Sequence, residues 1–169
     1  PQISLDSVRQ QIGTTPFFYR LNSEYTYFWR EEGLKAQRLR ARPALLLPVK
    51  LWGAVDLVPQ VGWTERHYWT SSEGSGHEHK GVVDVSARAS SRFYRVYTRD
   101  SATVDRIRHT IEPVIDYLYV PDVNQDSLPE FDSFDRIDEA NRISYGLTQR
   151  ITTRSAGEEG LKEYRDLLY

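Results

Sequence analysis

The chain has 169 residues, a formal net charge of −2 at pH 7, no cysteine and no methionine. A near-neutral balance removes the electrostatic case for a nucleic-acid partner, and without cysteine there is neither a disulfide framework nor a thiolate metal site. No apolar run approaches the ~20 residues of a membrane helix, yet eleven tyrosines, four tryptophans and six phenylalanines suit the aromatic girdles of a β-barrel, whose alternating strands average to a polar hydropathy.

Beginning at Pro1, the chain reads as a piece of a longer protein. Pro1–Leu5 places Ile3 and Leu5 on one face, the tail of a strand, and Asp6–Pro16 is a polar connection ending in Gly-Thr-Thr-Pro. Phe17–Arg30 alternates, broken only by Ser23: Phe17, Tyr19, Leu21, Tyr25, Tyr27 and Trp29 oppose Arg20, Asn22, Glu24, Thr26 and Arg30. Glu31–Gly33 is a turn. The return strand from Leu34 sets Leu39, Ala41, Leu45 and Leu47 against Arg38, Arg40 and Arg42, with Pro43 removing one ladder donor. Pro48–Trp52 is a tight connection. Leu51–Thr70 and Val82–Tyr97 alternate again, separated by a Gly/Ser-rich loop at Ser71–Lys80. After a turn at Thr98–Asp105 comes the clearest strand, Arg106–Pro121. A long acidic surface loop is expected over Asp122–Ala140, a strand over Asn141–Thr153, a turn at Arg154–Gly160 and a last strand from Leu161.

Arg106–Pro121 carries the argument about class. Ile107, His109, Ile111, Pro113, Ile115, Tyr117 and Tyr119 lie on one face, and Arg106, Arg108, Thr110, Glu112 and Asp116 on the other. About 15 residues at ~3.3 Å each reach near ~50 Å, whereas a tilted strand crosses a bilayer core in about 9–11 residues. Six long strands with a partial strand at each end and no helix predict an all-β, antiparallel up-and-down meander: a single segment, 1–169, of a large transmembrane β-barrel. A soluble β-sandwich acting as a binding module also alternates, and a passive porin-like channel shares the barrel pattern. Strand length and the bare apolar face, which would aggregate in water, favour the membrane.

The sites that would signal chemistry do not assemble. His77-Glu78-His79 lies in the expected loop without the H-E-x-x-H spacing of a helical zinc site. Asp122-Val-Asn-Gln-Asp126 resembles the start of a calcium loop, but Ser127 replaces the required glycine and Ser133 the final glutamate. Asp132, Asp135 and Asp138 recur every three residues with no helix expected to align them. No nucleophile–base pair and no phosphate-cradling loop can be placed. The expectation is no enzyme, no metal and no cofactor.

The order of motifs does resemble a known family. Phe28-Trp29-Arg30-Glu31-Glu32-Gly33, the stretch Arg38–Pro43, and above all HTIEPVIDYLYVP (His109–Pro121) followed by Gln125, Phe131-Asp132, Asp135-Arg136-Ile137, Ala140-Asn141 and Tyr145-Gly146-Leu147-Thr148 are similar to the middle of the C-terminal barrel of LptD, the lipopolysaccharide-assembly family of the Gram-negative outer membrane. The resemblance singles out Pro113, Tyr117, Tyr119, Pro121, Gln125, Asp132, Asp135, Asn141 and Gly146. It implies a translocon that places lipopolysaccharide in the outer leaflet, with a plug lipoprotein, LptE, in the lumen and a periplasmic bridge, LptA, reached through an N-terminal domain. Outer-membrane lipid would contact the apolar face. Arg38, Arg40, Arg42, Asp84, Arg88, Arg92, Arg106, Arg108, Glu112 and Asp116 would then form a polar, lumen-facing wall. Its arginines would meet phosphates, or carboxylates across the ladder such as Glu24, Asp84, Glu112 and Asp116.

Overall fold

The computed structural model describes residues 1–29, 35–71, 76–98, 104–156 and 161–168. Among them there are strands and no helix, and no helix is long and apolar enough to cross a membrane. The expected turn at Glu31–Gly33 lies outside the described residues, as do the central parts of those at Ser71–Lys80, Thr98–Asp105 and Arg154–Gly160.

The strands are β1 (Gln2–Asp6), β2 (Gln10–Gln11), β3 (Phe18–Phe28), β4 (Ala36–Leu46), β5 (Val49–Leu51), β6 (Val55–Thr70), β7 (Gly76–Ser91), β8 (Phe93–Thr98), β9 (Arg106–Val120), β10 (Ala140–Ala156) and β11 (Lys162–Leu168). They form one sheet in the order β1-β3-β4-β6-β7-β9-β10-β11, with β2 on β3, β5 on β6 and β8 on β9. Near-sequential neighbours define an antiparallel meander, as the alternation predicts. By contacts the chain divides into two compact units.

The first unit comprises residues 1–48, 58–87 and 117–143. β3 and β4 pair from Phe18↔Leu46 to Phe28↔Ala36, so Glu24 faces Arg40 and Thr26 faces Arg38. β4 then pairs with β6, Arg38 beside Tyr68 and Arg40 beside Arg66. That ladder lapses at Arg42 and Pro43 and resumes in register at Ala44↔Gly62, the consequence of a residue without an N–H. The even-numbered face holds the buried side chains: Ala36, Arg38, Ala44, Leu46, Thr64, Arg66, Tyr68, Val82 and Asp84. The odd-numbered face is apolar and exposed, with Ile3, Leu5, Val61, Trp63, Val83 and Val85.

The second unit comprises residues 49–57, 88–116 and 144–169. β5 and β6 close a hairpin, Leu51↔Val55, inside the stretch expected to be a plain connection. Trp52 (φ 48°) and Gly53 (φ 69°) both adopt the left-handed region that tight hairpin turns require, and the Ala54 N–H closes on the Leu51 carbonyl at 3.0 Å. β8 pairs with β9 from Phe93↔Ile111 to Thr98↔Arg106, and β10 with β11 from Ile151↔Leu168 to Ala156↔Lys162. Phe93, Tyr97, Ile115, Tyr145 and Leu147 are exposed on the odd face.

Two further expectations change. The strand expected at Val82–Tyr97 is two strands, broken at Arg92, and its first part begins at Gly76. His77 and His79 therefore sit in β7 and not in a loop. Their rings stack on His67, and His77 also stacks on Trp69. Among the described residues no three histidine or acidic groups are arranged to hold a metal ion.

Candidate functional site on the polar face

The even-numbered face carries two arrangements of arginine and carboxylate. The first is built around segment 121–139, expected as an acidic surface loop. Asp122, Asn124 and Asp126 are exposed, but Gln125, Leu128 and Asp135 are buried. The cause is local turn chemistry. The Asp132 carboxylate accepts the Phe134 N–H at 2.9 Å, and the Asp135 N–H donates to the Asp132 carbonyl at 3.1 Å. This Asx-stabilised turn brings both carboxylates onto one guanidinium. Arg38 donates to Asp132 Oδ1 and Asp135 Oδ1, each at 2.7 Å, and to Glu24 Oε1 at 3.1 Å. The recurrence every three residues thus has a structural meaning for Asp132 and Asp135; Asp138 is exposed and takes no part in the turn.

Asp135, 0% exposed, is the centre. Tyr68 donates its hydroxyl to Oδ1 at 2.6 Å, while Oδ2 accepts the backbone N–H groups of Asp132, at 2.7 Å, and Phe131. Burial alone would push this carboxyl up; the hydrogen bonds from Tyr68, the two backbone N–H groups and Arg38 outweigh it and hold the group below the ordinary carboxylate range. Arg66, fully buried, donates to the Asp135 carbonyl at 2.6 Å and to Gln125 Oε1 at 2.9 Å. Gln125 in turn donates to the Ile137 carbonyl at 2.9 Å. Phe131 stacks on Phe28 with centroids 4.7 Å apart. Segment 121–139 is therefore fastened over the strands of the first unit. Nearby, Arg42 forms a two-pronged pair with Asp84, at 2.7 and 3.2 Å. Gly62 is required beside it, because a Cβ there would lie 2.6 Å from Asp84 Oδ1.

The second arrangement is on the even face of the second unit, and it is exposed. Arg88 grips Asp116 at 2.7 and 2.9 Å, and Arg92 pairs with Glu112. Asp105, just before β9, is held below its ordinary range by the Arg154 guanidinium. The ladder partners expected for the arginines are these carboxylates. However, Glu112 and Asp116 are taken by the β7 end and its junction, so that among the described residues the Arg106 and Arg108 side chains form no ion pair, while the charge of Arg106 also acts on Asp105.

Comparison with known proteins decides what these residues belong to. The family model described as LptD, LPS transport system D, matches residues 1–162. The chain belongs to the LptD family. Among its relatives, the LPS-assembly protein LptD of Methylococcus capsulatus is 30% identical over 95% of this chain and 18% of that protein. That of Hahella chejuensis is 28% identical over 87% of this chain and 22% of its own length. The chain spans about a fifth of the length of these relatives.

Of the positions that the LptD resemblance singles out, Gln125, Asp132 and Asp135 meet in the Arg38–Arg66–Tyr68 network. Gly146 faces Val114, whose Cγ1 a Cβ would approach to 3.1 Å. Tyr117 and Pro121 are half-buried, and Tyr119 and Asn141 exposed. Pro113, half-buried in β9, lines a cleft with Glu112 and Arg92. Arg40 is half-buried beside Arg66 without an ion pair among the described residues. The sequence reading does not single out Arg66 or Tyr68; an aromatic ring on a largely polar face is the signal that marks Tyr68.

Proposed function

We propose that this chain is part of the wall of an outer-membrane β-barrel that assembles lipopolysaccharide into the outer leaflet, doing so without covalent chemistry. The odd-numbered face meets outer-membrane lipid and the even-numbered face lines the lumen. The observation that carries the reading is the division of the two faces. Leu45, Val61, Trp63, Val83 and Val85 stand exposed on one side of the same strands that bury Arg38, Arg66 and Asp84 on the other. In water a bare apolar face of this kind would aggregate; in lipid it is stabilising. Membership in a family whose relatives are named LPS-assembly proteins supports the substrate. On this reading LptE contacts the polar face, and LptA engages parts of the full-length protein outside residues 1–169. By strand parity, segment 121–139 lies at the outer surface.

The test is complementation by the full-length protein in cells depleted of their own LptD. A lysine in place of Val85 puts a charge in lipid at a cost of about 2–4 kcal/mol near the midplane, and Val85→Lys should abolish surface lipopolysaccharide. Arg88→Glu breaks only an exposed pair and should be tolerated. Equal tolerance at the two positions would refute the assignment of faces.

A further inference from the structure

β6 and β7 carry a polar cluster on their odd-numbered face, which is otherwise mostly apolar. Trp63, Glu65, His67 and Trp69 follow one another on β6, and His77 and His79 lie on β7. Glu65 and His67 are half-buried, His77 and His79 exposed. The His67 Nδ1 and His77 Nε2 atoms are 3.0 Å apart. On the other side of the His67 ring, Nε2 lies 3.8 Å from Glu65 Oε1, which also meets His79 Nδ1 at 3.1 Å. The carboxylate is itself oriented, because Trp63 donates its indole N–H to Glu65 Oε2 at 2.8 Å. That contact needs Gly81 beside it: a Cβ there would collide with the Trp63 ring and lie 2.5 Å from Glu65 Oε2. On β4 the ladder neighbours of Glu65 and His67 are Ala41 and Leu39, so no cation competes from that side. A half-buried carboxylate and three imidazoles on an apolar face cost stability, and packing does not call for them.

We infer that His67 and His77 form a binding site for a divalent first-row transition ion, Cu²⁺, Ni²⁺ or Zn²⁺, with Glu65 behind it. Two nitrogens each held about 2.0–2.1 Å from one ion stand about 2.9–3.4 Å apart, from a right-angled to a tetrahedral pair. The separation of 3.0 Å falls inside that range. Glu65 supplies what a ligating imidazole requires, a carboxylate facing the second ring nitrogen, which keeps the proton on His67 Nε2 and the Nδ1 lone pair free. With His67 in that tautomer, His77 Nε2 donates to the lone pair; the ion takes the place of this proton, which is carried instead on the exposed His77 Nδ1, so none is released. Two protein nitrogens leave the other coordination positions to water. This agrees with the lack of a three-group arrangement among the described residues and makes the ion exchangeable. Imidazole selects Cu²⁺, Ni²⁺ and Zn²⁺ over the oxygen-seeking Mg²⁺ and Ca²⁺, with Cu²⁺ held tightest. The pair lies close to the β6 end at Thr70 and the β7 start at Gly76, and an ion held by both residues links the two strands.

The test is Cu²⁺ binding by the full-length protein, purified in detergent without a polyhistidine tag and freed of metal with a chelator. Electron paramagnetic resonance counts the nitrogens on the copper, and titration gives the affinity. Other histidines of the full-length protein contribute equally to wild type and variants, so the difference between them is read. The wild-type protein should show a site with two imidazole nitrogens that excess Mg²⁺ does not displace. His67→Gln and His77→Gln should each remove that signal and lower the affinity at least about tenfold. His77 is exposed, so its variant decides the matter even where His67→Gln fails to give the heat-dependent electrophoretic shift of a folded barrel. Glu65→Gln should keep both nitrogens and weaken the ion about tenfold, the scale of losing the partner behind a ligand. His79→Gln should leave the two-nitrogen signal in place. An unchanged signal in His77→Gln, or a loss in His79→Gln equal to that in His77→Gln, overturns the inference. The readout is a spectrum and not lipopolysaccharide at the cell surface, so the site and the proposed function stand or fall separately.

Discussion

The two units use the same ingredients, arginines and carboxylates at even positions of long strands, and reach opposite results. Under segment 121–139 the charges are sealed: Arg38 is 2% exposed and holds three carboxylates. In the second unit, Arg88 and Arg92 keep side chains 64% and 73% exposed while paired. The difference is the cover. A folded-back segment removes water from the first set, which makes each interaction strong and each loss costly. Without a cover, the second set stays screened and exchangeable. The first arrangement fastens; the second leaves its charges in solvent.

The comparison can be broken at its strongest point. Asp135→Ala leaves Arg38 and the Tyr68 hydroxyl buried beside a missing acceptor and should cost about 3–5 kcal/mol. In the full-length protein this would appear as a lower unfolding midpoint and as protease cleavage within 121–139. Acid should act on the same group. The folded-state pKa of Asp135 is lowered, so its contribution is complete above the unfolded value of ~3.9 and is lost as pH falls through the folded value. Protease access to 121–139 should therefore stay constant from neutrality down to about pH 4 and rise below it. Gly62→Ala, which drives a methyl group into Asp84, should cost about 1–3 kcal/mol, read from the same unfolding midpoint. At the weak end, Arg88→Ala removes an exposed pair and should shift that midpoint by less than ~1 kcal/mol. A larger effect at Arg88 than at Asp135 would reverse the distinction between the units.

Much of the fold is legible in the sequence, because a period of two needs only local information. β3, β4, β9 and β10 fall close to the alternating stretches, and Glu24, Asp84, Glu112 and Asp116 do serve as partners of arginines. The breaks are harder to read. Arg92 interrupts a stretch whose alternation continues on both sides, and the β5–β6 hairpin depends on Trp52 adopting a backbone conformation its side chain disfavours. The buried network is the least legible part. Arg38, Arg66 and Asp135 are far apart in sequence, and an acidic loop rich in Asp and Ser reads as solvated until its turn is seen to aim two carboxylates at one guanidinium. Tyr68 was the available clue.

The central claim is that one face of these strands meets lipid and the other an aqueous lumen. Spin labels placed singly from residue 82 to 88 in full-length protein, reconstituted in bilayers, test it most directly. The account predicts a period of two, with oxygen access highest at 83, 85 and 87 and access to a water-soluble relaxer highest at 86 and 88. Uniform access to the water-soluble relaxer along the stretch, or the opposite phase, would contradict it.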